Sequence, residues 1–271
     1  MSGGAGTATA SDRRTELHWE SVGDGPPVLL IMGLGLSGGA WWRTVPVLAR
    51  RLRVITFDAR GIGRSPSLRH NYSVEAMADD AVSVLDGVGV DRAHVYGFSM
   101  GGMVAQSLAL RHPDRIRSLV LGATHSGGRH AVLPDQDVMA FFNRRSTMET
   151  EEAAWASVAY NYGPRCREEG VDRIAEDIER RLENPFNAAA YRAQLYAAAM
   201  HNCHGRLRRI GSPTMVVHGA HDRIIPVANA RVMAANLPDS RLRVLEESGH
   251  LYATEEPQVD EEIAAFLAGQ S

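Results

Sequence analysis

The sequence predicts an α/β fold: a mostly parallel central sheet flanked by helices, interrupted once by an inserted helical cap. Short apolar runs rich in β-branched residues recur along the chain, each closed by Gly or Asp and followed by a segment of helical period. One long stretch in the middle has no such run, and the alternation resumes after it. The composition, 44% hydrophobic and 23% charged over 271 residues, suits one large globular unit or a core with a smaller lid.

Taken in order, residues 1–14 begin with a Gly/Ala/Ser/Thr-rich segment that lacks the cationic start and apolar block of a signal peptide, and they read as a loose tail. The predicted strands are Glu16–Ser21, Pro27–Met32, Arg53–Asp58, His94–Phe98, Ser118–Ala123, Thr214–His218 and Leu242–Glu246. Helical period is found over Trp42–Arg51, Val74–Leu85, Ser99–Arg111, Val227–Ala235 and Val259–Leu267. Residues 126–207 carry aromatic residues in Ala/Glu/Arg-rich helical sequence and read as the cap, so the core comprises residues 15–125 and 208–271.

Charge and cysteine usage narrow the chemistry. All 29 basic residues are Arg, which removes Schiff-base catalysis, a pyridoxal-phosphate anchor, a phosphate-loop lysine and a Ser-x-x-Lys pair. The net charge of −3 with scattered Arg argues against nucleic acid, and no run is long and apolar enough to suggest a membrane span. Cys166 and Cys203 form neither a disulfide framework nor a zinc set and read as free thiols of a reducing, cytoplasmic compartment. The expected partner is a small-molecule substrate, with a homo-oligomer left open and no metal or organic cofactor implied.

Two motifs compete near the start. Gly33-Leu34-Gly35-Leu36-Ser37-Gly38 follows a strand, and Asp58 closes the next one, an outline of the dinucleotide fingerprint. The alternative is a flexible glycine loop with Asp58 as a turn residue. G-x-S-x-G occurs twice, at Gly35–Gly39 and at Gly97–Gly101. Only the second has a strand running into a sharp turn with a helix leaving at once, the geometry that strains a serine and exposes its oxygen. Ser99 is therefore the candidate nucleophile, with Ser37 and a merely helix-capping Ser99 as alternatives.

A serine hydroxyl needs a base, and the base an orienting carboxylate. Asp222 follows the strand Thr214–His218, and His250 follows Leu242–Glu246, both at carboxyl ends where open α/β sheets build sites. His94, His218 and His221 read as packed or solvated, and His125 as a pocket-lining residue. An oxyanion formed on attack would be held by the amides of Met100, next after the nucleophile, and Leu34, on the loop after Pro27–Met32. Gly33, Phe98, His125, Phe141 and Trp155 are the expected pocket residues.

These motifs together, with Asp58-x-Arg60-Gly61-x-Gly63-x-Ser65, Gly97-Phe98-Ser99-Met100-Gly101-Gly102, His218-Gly219-x-x-Asp222 and Gly249-His250, resemble the α/β-hydrolase family over about residues 15–270. The elbow and compact cap are similar to its esterase, enol-lactonase and cofactor-free haloperoxidase branch. The resemblance implies hydrolysis of a carboxylic ester or lactone through an acyl-enzyme on Ser99, His250 and Asp222. It assigns Asp58 to a structural turn and Trp41 and Trp42 to packing or the pocket wall. Many relatives carry His where this chain has Met32, before the oxyanion-loop glycine. A serine argues against dehalogenase and epoxide hydrolase activity, and the lack of lysine against the hydroxynitrile lyases. Perhydrolysis, carbon–carbon cleavage and cofactor-free oxygen chemistry remain as uses of the same scaffold. A noncatalytic receptor or NAD-binding protein is the alternative of another class.

Overall fold

The computed structural model describes residues 3–66, 72–145, 147–183 and 187–270. Eight strands form one sheet: β1 (Gly3–Thr9), β2 (Glu16–Val22), β3 (Pro27–Ile31), β4 (Arg53–Phe57), β5 (Ala93–Phe98), β6 (Ile116–Gly122), β7 (Thr214–Gly219) and β8 (Ser240–Leu245). Their spatial order is β1-β2-β4-β3-β5-β6-β7-β8. The pairs β1·β2 and β2·β4 are antiparallel, and every pairing from β4·β3 to β7·β8 is parallel.

The parallel strands are apolar on both faces because helices cover both. All six residues of β5 are buried, so the strand that ends at Phe98 is enclosed from either side. One layer packs the helices Val74–Gly87, Met100–Arg111 and Ala228–Ala234 against Leu29, Ile55, Val95, Leu119 and Val216. The other packs Thr44–Leu48 and Gln258–Ala268 against Leu30, Val54, Val120 and Val217. The predicted helix over Trp42–Arg51 is shorter, because a 3-10 turn over Gly38–Trp41 precedes it.

The expectation of a loose tail over residues 1–14 is corrected. Gly3–Thr9 is an edge strand in register with β2, from Gly3 opposite Val22 to Thr9 opposite Glu16. Its small residues lack the alternation that marks a half-buried strand, yet small side chains are what the site requires. A Cβ on Gly6 would stand 2.9 Å from the Trp19 ring, and one on Gly87 would press on Ala8 at 2.7 Å. The turn into β2 is fastened by Asp12, whose Oδ1 accepts from the Arg14 and Thr15 amides at 2.8 and 2.9 Å, and by Ser11, whose amide donates to Asp80 at 3.0 Å.

Between β6 and β7 the chain leaves the sheet and forms the helices Gln136–Arg145, Thr150–Ala156, Val158–Asn161, Pro164–Glu169, Val171–Leu182 and Ala188–Met200. Among the described residues of this excursion, strand-like pairing is limited to an isolated bridge between Gly127 and Asn202. Ala154, Tyr162, Ile174 and Ile178 make a small apolar cluster of its own. Polar side chains tie it down: Arg43 to Asp177 at 2.9 Å and to Glu176 at 2.8 Å, and Asn187 to the Gly61 carbonyl at 3.1 Å.

Candidate active site

Ser99 stands between β5 and the helix Met100–Arg111 with φ +57° and ψ −121°, a backbone state that costs a non-glycine residue roughly 1–3 kcal/mol. Close packing compels the turn. A Cβ on Gly97 would collide with Gly101, and one on Gly101 with the Ile31 carbonyl, so the helix can start against the sheet only with glycine at both places. The Ser99 amide donates to the Gly122 carbonyl at 2.8 Å, which locks the elbow onto β6.

The loops after β7 and β8 bring two side chains to the serine from 123 and 151 residues away (222 − 99 and 250 − 99). His250 Nε2 lies 3.1 Å from Ser99 Oγ, and His250 Nδ1 lies 2.7 Å from Asp222 Oδ2. Hydrogen-bonding Nδ1 to the carboxylate fixes the tautomer in which Nε2 is free to accept from the hydroxyl. Asp222 Oδ1 in turn accepts from the amides of Ile224 and Ile225 at 2.9 and 2.8 Å. Burial pushes the Asp222 carboxyl upward, but the charge of His250 and the hydrogen bonds of His218 and His250 prevail and hold it at about 2. It therefore stays ionised beside the imidazole.

His218 is a partner that the sequence reading missed. It occupies a fully buried position in β7, and its Nε2 lies 2.6 Å from the Ile225 carbonyl and 3.1 Å from Asp222 Oδ2. The same ring thus holds the loop that carries the carboxylate and the carboxylate itself. Its spacing four residues before Asp222 was the signal available in the sequence.

The glycine loop packs directly on Ser99. A Cβ on Gly33 would stand 3.1 Å from Ser99 Cβ. Residues 33–36 form a turn closed by the Leu36 amide on the Gly33 carbonyl at 3.3 Å, with Gly35 at φ +72°, a conformation that favours glycine. Among the described residues no hydrogen bond occupies the amides of Leu34 or Met100. The neighbouring Gly35 amide donates to Gln194 Oε1 of the cap at 2.9 Å. The dinucleotide outline is not matched by the loop's surroundings, because Asp58 is buried and already accepts from the Gly38 and Arg64 amides at 2.8 and 2.9 Å. Ser37 stands at the start of the 3-10 turn and has no part in the relay.

A cavity opens between core and cap, walled by Met32, Trp41, Phe98, Ile178 and Leu251 among others. Phe98 and Leu251 are the chain neighbours of Ser99 and His250, and the Phe98 ring lies 5.0 Å from the His250 ring. Phe98 is therefore the pocket residue placed as the sequence suggests. The other expectations are corrected. Gly33 packs on Ser99, His125 turns its Nδ1 to the Gly127 amide at 3.0 Å, Phe141 packs on Phe142 and Tyr160, and Trp155 is 45% exposed, and none of the four joins this wall. Helical period alone does not say which side of a cap helix meets the core. Burial holds the His125 ring pKa down at about 4, so it is neutral near pH 7.

Glu255 joins the cap to the histidine loop. Its two carboxyl oxygens accept from the Gly163 and Gly249 amides, each at 2.8 Å, and burial raises its pKa to about 7 against those two donors. Among the described residues no group of His, Cys, Asp and Glu is placed to hold a metal, and no helix is long and apolar enough to cross a membrane.

Residues 26–257 match the family described as the alpha/beta hydrolase fold. The chain is 31% identical over 266 residues to the "Putative carbamate hydrolase RutD" of Variovorax paradoxus, covering 93% of this chain and 96% of that protein. A thermophilic esterase from Thermogutta terrifontis, solved with malate bound, superposes with a TM-score of 0.83 at 26% identity, covering 98% of this chain and 99% of the other. The enol-lactonase of Burkholderia xenovorans shares the fold at a TM-score of 0.84 and 24% identity, covering 97% and 99%. The chain belongs to the α/β-hydrolase family, and hydrolysis is the class of activity it shares with these relatives.

Proposed function

We propose that the protein is a serine hydrolase that cleaves a carboxylic ester or lactone of a small, partly apolar substrate through an acyl-enzyme. The observation that carries this reading is the unbroken relay from Ser99 Oγ to His250 Nε2 at 3.1 Å and from His250 Nδ1 to Asp222 at 2.7 Å. Ser99 Oγ attacks the scissile carbonyl while His250 Nε2 takes its proton, and Asp222 stabilises the imidazolium so formed. The tetrahedral oxyanion accepts from the Leu34 and Met100 amides, which have no other acceptor among the described residues. On collapse His250 returns the proton to the leaving oxygen. Water, deprotonated by the same imidazole, then releases the acid.

The name of the Variovorax relative favours a second reading, in which the acyl carbon carries nitrogen and the substrate is a carbamate. The residues and steps are the same, so the two readings differ only in the acyl group. Incubation with a fluorophosphonate, followed by intact mass and peptide mapping, tests both. One phosphonyl adduct on Ser99 with loss of p-nitrophenyl ester turnover is the expected result, and a fully active protein with Ser99 unlabelled would overturn the assignment. A panel of esters, lactones and carbamates then separates the substrate classes.

A further inference from the structure

We propose that Glu255 is a positioning residue whose carboxylate couples the seating of the cap to the placement of His250. This deepens the serine-hydrolase reading and rests on it. After His250 the chain makes a single helical turn over Tyr252–Glu255, which carries the Glu255 side chain back to the start of the histidine loop. There Oε1 accepts from the amide of Gly249, the residue before His250, and Oε2 accepts from the Gly163 amide of the cap, both at 2.8 Å.

The cap also holds the chain on the other side of the base. The Leu251 amide donates to the Asn161 carbonyl at 2.9 Å, so both chain neighbours of His250 are fixed by the cap, one directly and one through Glu255. The two backbones interlock. A Cβ on Gly249 would stand 2.8 Å from the Asn161 carbonyl oxygen and from the Gly163 nitrogen, and one on Gly163 would collide with the Glu247 carbonyl. Main chain meets main chain here, with no side chain between to absorb a shift. A displacement of the Gly163 segment is therefore passed to Gly249, and from there to an imidazole that must stay 3.1 Å from Ser99 Oγ.

The bridge needs the ionised form, because a carboxylate accepts at both oxygens whereas a carboxylic acid donates from one of them. Burial raises the Glu255 pKa to about 7, against the lowering by the two amides. Glu256 on its own turn, which accepts from Ser248 Oγ at 2.7 Å, and Asp222 on the loop after β7 raise it further. From the cap, Tyr162 and Cys166 lie within reach of its charge, and both keep their protons near pH 7 because burial pushes their pKa values up. Arg165 of the cap is paired with Glu169 and also attracted by Glu247 and Glu256, while the His250 ring is engaged with Asp222 and Ser99.

The test follows kcat on p-nitrophenyl butyrate in the wild type, Glu255→Gln and Glu255→Asp from about pH 5.5 to about pH 8.5, with folding checked by thermal melting at each pH. At about pH 8.5 the kcat of Glu255→Gln should lie about tenfold below the wild type with KM little changed. The ratio should approach one at about pH 5.5, where the wild-type carboxyl also offers one acceptor and one donor. Any pH dependence of the relay itself cancels in this ratio. Glu255→Asp keeps the charge but is one methylene too short to span both amides, and it should fall between the other two at about pH 8.5. A ratio below about threefold at the alkaline end overturns the role, and so does one that is constant with pH, since a merely structural defect lowers kcat equally throughout. Amide spectra of the wild type by nuclear magnetic resonance are independent of turnover: the Gly163 and Gly249 signals should shift together with one midpoint near 7, and separate or absent midpoints refute the bridge. If Glu255→Gln does not fold, Glu255→Asp and these two signals carry the test. If the wild type cleaves no p-nitrophenyl ester, the serine-hydrolase reading fails, and the two signals still decide whether one carboxylate joins cap and histidine loop.

Discussion

The core and the cap reach the same site by different physical means. The core contributes main chain and strand ends: a strained elbow, a glycine turn and two loops, each anchored by the hydrogen-bond ladder of one sheet. The cap contributes scattered polar contacts, Gln194 to the Gly35 amide, Asp177 to Thr254 and Arg43, and its Gly163 amide to Glu255. Their packing differs in the same way. Two extensive apolar clusters hold the core, whereas the cap keeps a small one and leaves Leu133, Tyr196 and Met200 exposed at 69%, 67% and 65%. Geometry that must hold reacting atoms within tenths of an ångström is built where opening costs most, and the wall that chooses the substrate is built where less is buried.

Substitutions can break or sharpen this contrast. The largest effect is expected in the core: Ser99→Ala should lower kcat on a short p-nitrophenyl ester by roughly 10⁶, measured with the residual rate in purified protein. Asp222→Asn keeps the shape and disturbs the tautomer of His250, and steady-state assays should find about a 10⁴-fold loss in kcat. His218→Gln removes a ring that holds both Asp222 and the Ile225 carbonyl. A loss of about tenfold in kcat with KM little changed would mark it as a positioning residue, whereas a change in stability alone would confine it to packing.

For the cap the expected effect is smaller. Gln194→Leu frees the Gly35 amide without touching Ser99, and kcat/KM should fall about fivefold. A loss as large as that of Asp222→Asn would erase the distinction between scaffold and wall. In the core, Asp260 lies buried on the last helix with Oδ1 unpartnered, and burial raises its pKa to about 7 despite a hydrogen bond from Thr44. The folded protein thus holds a proton that the unfolded chain gives up near 3.8, and stability declines as pH rises from there to about 7. Asp260→Asn removes that decline, so its gain in Tm should be absent below pH 3.8 and complete above about 7, where calorimetry should find at least roughly 2–4 °C.

The parallel strands, the elbow and the order Ser99, Asp222, His250 were legible because each is written locally, as an apolar run, a glycine spacing or a loop after a strand. Strand β1 was not, since Gly and Thr at an exposed edge carry no hydrophobic alternation; it pairs through the backbone ladder with β2, with Gly6 leaving room for the Trp19 ring. The pocket was the least legible part. Phe141 and Trp155 have the composition of a wall, but the rotation of each helix about its axis is set by what it meets, and that turned Trp155 to solvent and Arg145 inward.

What the sequence by itself determined is therefore the set of candidate groups: a hydroxyl, a carboxylate and an imidazole in chain order, with every lysine-dependent route removed. Only the tertiary structure decided the distances among them, the second imidazole on Asp222 and the cation in the cavity wall. The division has a physical cause. Backbone preference and periodicity act over a few residues, whereas a contact between residues 99 and 250, or between 145 and 191, exists only once layers have packed and the burial of every intervening side chain has been settled together.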